Sequence, residues 1–258
     1  MFSVYHFIWL AICAVLIAGS IVYLKKKKPA LRDVLTVCCV ICIASELVKV
    51  FSMVEIVPSA DGTKYYPYLA VNHMPFHLCS IQLITIIYAR LAADGPRRNM
   101  ILAFMYPTCL VGAIFALAMP SIFNTTISAN QAFTHPIAYQ TFLYHVMLIV
   151  LGVYIPMSGE VPLGRKSFFS TLLLLALFGF VSIYVNSMLA NAVYEGGVLK
   201  SIEFMPNFFF TAATPIGIAL TEKWHWLLYF AIIMVLAVLS VFLCFLPFLR
   251  KERRLQAK

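Results

Sequence analysis

Charge is the scarce ingredient of this sequence. Only 11% of its 258 residues are charged, and Asp and Glu together number 10. A water-facing domain carries about 25% charged residues, so an ordinary soluble fold is excluded. Cysteine is missing from the polar connections. All seven (Cys13, Cys38, Cys39, Cys42, Cys79, Cys109 and Cys244) lie in apolar runs, which excludes a loop-stapling disulfide framework and gives no redox compartment. Also missing are a glycine-rich phosphate loop, a zincin motif and a serine-hydrolase elbow. Cys38, Cys39 and Cys42 mimic a metal motif, but they share one apolar helix with no second ligand pair. Neither a metal nor another cofactor is implied.

What the chain does have is hydrocarbon. It is 62% hydrophobic with a mean hydropathy of +0.92. Apolar runs near 4–24, 33–54, 75–93, 99–119, 137–156, 168–190 and 225–249 are each about 20 residues long, enough to cross a hydrocarbon core of roughly 30 Å as helices. The expected fold is therefore all-α: a polytopic transmembrane bundle of about seven spans, with residues 1–258 forming one integral membrane domain. Met1 to Leu24 reads as a retained first span, because the cluster Lys25–Lys28 follows the apolar stretch and no small-residue cleavage site appears.

The net charge of +9 resides in short clusters flanking the spans, which marks membrane orientation and not nucleic-acid binding. With the amino terminus outside, 15 of 19 basic residues fall on the inner side. Lys49, Lys64, Lys200 and Lys223 fall on the outer side. The positive-inside rule thus gives amino terminus out and carboxyl terminus in. Phe204 to Leu220 is apolar but is interrupted by Pro206, Asn207 and Pro215. A full span there would send Arg250 to Lys258 outward, so a broken or re-entrant segment near 204–220 is expected, covered by other protein. A separate eighth span is the alternative. The long connections 55–74, 120–136 and 191–203 all lie outside, where function concentrates, and one carries the sequon Asn124-Thr125-Thr126.

All six histidines fall in the outer half. His6, His135 and His225 read as headgroup-level anchors. His145 lies about eight residues into its span, roughly 12 Å deep, where an ionisable group ordinarily faces a protein interior or wet cavity. In "NHMPFHLCSIQL", Asn72 or His73 can cap and Pro75 suits a first turn, which puts His77 and Cys79 within two turns of an expected helix start. Free N–H groups there favour a thiolate and a developing oxyanion, whereas an apolar setting disfavours the thiolate, so a base is needed. His77 projects about 160° away from Cys79 while Gln82 shares its face. The base is therefore expected from another helix, with His145 the leading donor.

Asn186 stands on a small, polar strip with Gly179, Ser182 and Ala190, and Asn207 lies in the broken segment. Each suits either a polar cavity or interhelical amide contact. Glu46, the one acid deep in a span, can pair with Lys49 as a structural ion pair; orienting a histidine or carrying a proton is the alternative.

At "HMPFHLC" the sequence resembles the bacterial YwaF family of integral membrane proteins, whose members open a span with Pro-x-His-x-Cys, here Pro75, His77 and Cys79. The likeness continues through "LYHVMLIVLGVY" around His145, "VNSML" around Asn186 and "PNFFF…TP" from Pro206 to Pro215. That family is similar to eukaryotic multi-span lipid enzymes, some proposed as cysteine-centred acyltransferases. The resemblance implies Cys79 as nucleophile and His145 as base, and a multi-pass protein of the bacterial plasma membrane. One departure is Asn207-Phe208, where the family pattern has asparagine followed by tyrosine.

The expected function is acyl transfer or acyl hydrolysis on membrane lipids at a site open to the outer leaflet. Gln82, Asn186 or Asn207 would steady the oxyanion, His77 would meet a headgroup, and Glu46 would border the site. The competing expectation is a carrier, channel or receptor in which the same polar residues line a binding cavity.

Overall fold

The computed structural model describes residues 2–120, 122–215 and 218–256. The chain runs through α1 (Val4–Lys27), α2 (Leu31–Met53), a hairpin of β1 (Glu55–Pro58) and β2 (Tyr65–Tyr68), α3 (Gln82–Leu91), α4 (Pro96–Ala118), the four-residue α5 (Ile122–Thr125), α6 (Pro136–Ser158), α7 (Arg165–Met188), a second hairpin of β3 (Asn191–Glu195) and β4 (Val198–Phe204), and α8 (Lys223–Gln256). Among the described residues, α1, α2, α4, α6, α7 and α8 are long and apolar enough to cross a membrane. The protein is a multi-span helical membrane protein. The sequon side chains Asn124 and Thr125 lie outside the described ones, as do Ile216 and Gly217 of the broken segment.

Local chemistry sets the helix ends. Proline opens α4 and α6 at the first turn, where its missing N–H costs nothing. Ser3 accepts the His6 amide at the start of α1. Two acids cap helices from a distance: Glu160 accepts the Leu31 amide at 2.7 Å and Glu252 accepts the Arg165 amide at 2.7 Å. Each sets a negative charge at a positive helix end on the inner face.

α4 and α6 form the centre, with 56% of each apolar window buried against 11% for α1 and α8. Their approach is close at Gly152, where an added Cβ would come within 2.7 Å of Leu110. Trp9 of α1 stacks on Phe142 (4.7 Å, 5°) and on Phe133 (5.2 Å, 7°) while its indole N–H donates to the Ala132 carbonyl. His6 is 0% exposed, and its Nε2 donates to the Leu117 carbonyl at 2.9 Å. This corrects the reading of His6 as a headgroup anchor: the ring ties α1 to one of the orphan carbonyls ending α4. His135 instead caps α6, and His225 sits at the outer end of α8 against Trp224.

The third crossing departs most from expectation. A helix was expected from Pro75, but the continuous helix starts at Gln82, and residues 74–81 wind through isolated turns. Ten helical residues rise about 15 Å, half a hydrocarbon core, so irregular chain must complete the crossing. Side chains add to the few backbone bonds that remain, such as the Ile81 amide on the His77 carbonyl at 2.9 Å. Gln82 Nε2 donates to the Leu78 carbonyl at 3.1 Å and the Tyr144 hydroxyl to the Cys79 carbonyl at 2.8 Å. Such substitution is what allows broken backbone at membrane depth.

The connections 55–74 and 191–203, read from sequence only as long loops, contain the two hairpins. The second turns through Gly196 and Gly197 at φ of 57° and 81°, the paired positive φ that a two-residue hairpin loop requires. Among its described residues the segment after β4 forms no span: it makes a 3₁₀ turn at Phe208–Phe210 and is irregular from there to Pro215 and from Ile218 to α8.

Candidate functional site

Cys79 closes the unwound stretch. Its Sγ lies 3.2 Å from where a Cβ on Gly112 would stand, so the absent side chain on α4 makes room for the thiol. Gly112 is six residues from the end of α4, which sets the sulfur about 9 Å below the outer helix ends. Among the described residues, no acceptor takes the backbone amides of His77, Leu78, Cys79 or Ser80. Four successive donors therefore flank Cys79 along the chain, groups suited to negative charge on an oxygen.

His145 is half-buried on α6. Its Nδ1 lies 2.6 Å from the Thr141 carbonyl, and since a carbonyl only accepts, the hydrogen must sit on Nδ1. Nε2 then keeps a free lone pair, the form a general base requires. The structure does not place His145 in hydrogen-bond contact with Cys79. The neighbouring residue, Tyr144, makes the link through the Cys79 carbonyl, with its own ring 5.6 Å from the His145 ring. Gly152, on the His145 face of α6, packs on Leu110, whereas Cys79 packs on Gly112, about 200° around α4.

Gln82 is 0% exposed, and its amide is fully engaged. Nε2 donates to the Leu78 carbonyl and to Thr108 Oγ1, while Oε1 accepts from Thr85 Oγ1 and from Cys109 Sγ. It fixes α3 to α4 and has no donor left for a ligand.

Asn186 and Asn207 build the cover over the unwound crossing. Asn186, 2% exposed, accepts the Phe208 amide at 2.9 Å and donates to the Phe208 carbonyl and Thr211 Oγ1. Asn207 accepts from the amides of Ala212 and Ala213 and donates to the Ala213 carbonyl. The pinned Phe208 ring meets His77 edge-on at 4.8 Å and Phe76 at 5.5 Å. Phe209 and Phe210 adopt φ of 56° and 55°, left-handed conformations costing on the order of 1–3 kcal/mol each for bulky residues. The broken segment holds that strain while lying against the segment that carries Cys79.

Glu46 and Lys49 form an ion pair, with Nζ 2.7 Å and 2.8 Å from the two carboxylate oxygens. His73, in the outer connection, is held below its ordinary pKa first by burial and then by the Lys49 ammonium.

Two residues escaped the sequence reading. Tyr144 was passed over beside the histidine it precedes, although a hydroxyl at that depth needs a partner. Gly112 was signalled only as a glycine within a helical run.

The chain matches the TMEM164 family over residues 1–245. It belongs to the TMEM164 family. No curated protein and no solved structure matches it. The TMEM164-family match spans α1 to most of α8, so every residue of the candidate site lies within it.

Proposed function

We propose that this TMEM164-family chain is a membrane acyltransferase whose nucleophile is Cys79, acting on lipid esters of the outer leaflet. The observation that carries the reading is the run of unclaimed amides at His77–Ser80 that includes the Cys79 residue, at a break in a membrane crossing. Irregular backbone at such depth characteristically lines a site. The resemblance to YwaF proteins supports the same chemistry, and with it a place in a bacterial plasma membrane.

In the proposed reaction Cys79 Sγ attacks the ester carbonyl carbon. The new C–S bond forms as the carbonyl electrons move to oxygen, and the His77–Ser80 amides hold that oxyanion. His145 Nε2 takes the thiol proton when the two side chains close, a contact that resting sites often lack. Collapse breaks the C–O bond, and the imidazolium returns the proton to the leaving alcohol. An acceptor alcohol, or water, then attacks the thioester and restores the thiol. Gln82, Asn186 and Asn207 position backbone in this scheme and do not touch the substrate.

The test is acyl exchange on defined phospholipids by purified wild type, Cys79→Ala and His145→Gln, together with labelling by a thiol-reactive acyl probe. Cys79→Ala abolishes both signals, and His145→Gln slows exchange while Cys79 remains labelled. Exchange undiminished in Cys79→Ala refutes the assignment.

A further inference from the structure

The outer halves of α2 and α6 border an open groove of about 590 Å³, whose lining includes Ile41, Ala44, Val48, Pro136, Leu143 and Tyr144. Of its polar members, Gln140 donates to Ser45 at 2.7 Å and Thr134 donates to the Gln131 carbonyl at the outer rim, which leaves most of the lining apolar. From Pro136 at the head of α6 down to Tyr144 the groove runs eight residues, about 12 Å, most of one leaflet's hydrocarbon depth. We infer that it seats one acyl chain of an outer-leaflet phospholipid, entering beside Pro136 and descending to Tyr144.

Dimensions and position favour this occupant. A volume of about 590 Å³ over ~12 Å gives a mean cross-section of about 50 Å², a shallow trough in which an extended hydrocarbon chain fits. Ile41, Val48 and Leu143 face outward on membrane-spanning helices, so the medium beside them is lipid. The floor adjoins the backbone of the Cys79 segment, because Tyr144 both lines the groove and donates to the Cys79 carbonyl. A chain lying there brings its ester toward the segment carrying the unclaimed amides. The assignment of the chain as substrate rests on the acyltransferase reading; the seating of a lipid chain does not.

The experiment uses the full chain in phosphatidylcholine vesicles containing a phosphatidylcholine with a photoreactive diazirine on one acyl chain, with cross-links mapped by peptide mass spectrometry. The expected result is a several-fold excess of cross-links at Ile41, Val48 and Leu143 over the lipid-facing control positions Val37 and Phe180. Ala44→Trp fills the groove from an exposed position and removes the excess. Val37→Trp, exposed on the same helix but outside the groove, preserves it. Even labelling in the wild type, or an excess undiminished by Ala44→Trp, overturns the groove. Cys79→Ala keeps the excess, and absent acyl exchange in the wild type alongside intact labelling defeats the proposed enzyme and leaves the lipid seat standing.

Discussion

The Tyr144 hydroxyl donates to the Cys79 carbonyl at 2.8 Å, tying a central helix of the bundle to a crossing that is not helical throughout. The same carbonyl accepts the Gln82 amide at a longer 3.2 Å. Tyr144→Phe removes the shorter of the two bonds without emptying much volume. The expected loss is about 1 kcal/mol of stability, because the carbonyl keeps one partner. Looser anchoring also exposes the neighbouring thiol. Alkylation of Cys79 should rise several-fold while that of Cys109, 0% exposed between α3 and α4, stays slow. Mass-spectrometric alkylation rates together with thermal unfolding in micelles check both expectations.

Gly112→Ala separates positioning of the thiol from global stability. The added Cβ would stand 3.2 Å from Cys79 Sγ and 3.6 Å from the Leu78 side chain, so the sulfur must shift by a few tenths of an ångström. Alanine also favours the helix over glycine by up to about 1 kcal/mol, so unfolding should not come earlier. Acyl exchange is expected to fall roughly tenfold, equivalent to ~1.4 kcal/mol of barrier. A variant equally stable and equally active would show that the Cys79 position does not matter.

The long helices were legible because lipid imposes a simple rule: each must be apolar for about 20 residues and satisfy its own backbone. The third crossing was not legible, since "HMPFHLCSIQL" is as apolar as a helix and Pro75 suits a first turn. What unwinds it comes from other parts of the chain: the Tyr144 hydroxyl, the space above Gly112 and the Phe208 ring. Residue type and depth singled out Cys79, His77 and Asn186 as candidates, but gave no sign that Asn186 bonds Phe208, 22 positions away. His6 was misread for a related reason. A histidine near a terminus is ordinarily interfacial, and only the carbonyl of Leu117, exposed by the end of α4, draws it inside.

Asn186→Ala tests whether the cover over the unwound stretch depends on one amide. The substitution strands the buried Phe208 N–H, and a buried donor without an acceptor costs on the order of 1–3 kcal/mol. The strained left-handed backbone at Phe209 and Phe210 then has less to hold it. Amide exchange across residues 206–213 should accelerate, and acyl exchange should fall with it because Phe208 no longer covers His77. Asn186→Asp keeps the acceptor for the Phe208 amide but loses the donor to the Phe208 carbonyl, so it should lie between wild type and alanine. Exchange unchanged in both variants would assign the cover to packing alone.

Outside the membrane, the turn between β1 and β2 carries a pH response whose sign follows from its bonds. Asp61 accepts from the Ser59 and Thr63 hydroxyls and from the Thr63 amide, which together lower its pKa from 3.8 to about 2. Hydrogen bonds to the charged form stabilise the folded turn while the carboxylate is ionised. That contribution is fully present above pH 3.8, declines as protonation begins, and is lost as pH falls through about 2. Asp61 is fully exposed, so the effect is confined to the hairpin and the unfolding of the bundle should not register it. Amide exchange at Thr63 and Lys64, corrected for the intrinsic pH dependence of exchange, should accelerate across that interval. Asp61→Asn retains an acceptor oxygen for the Thr63 amide but cannot titrate, so its exchange should follow the intrinsic dependence alone. Acid acceleration that persists in the asparagine variant would assign the response to another group.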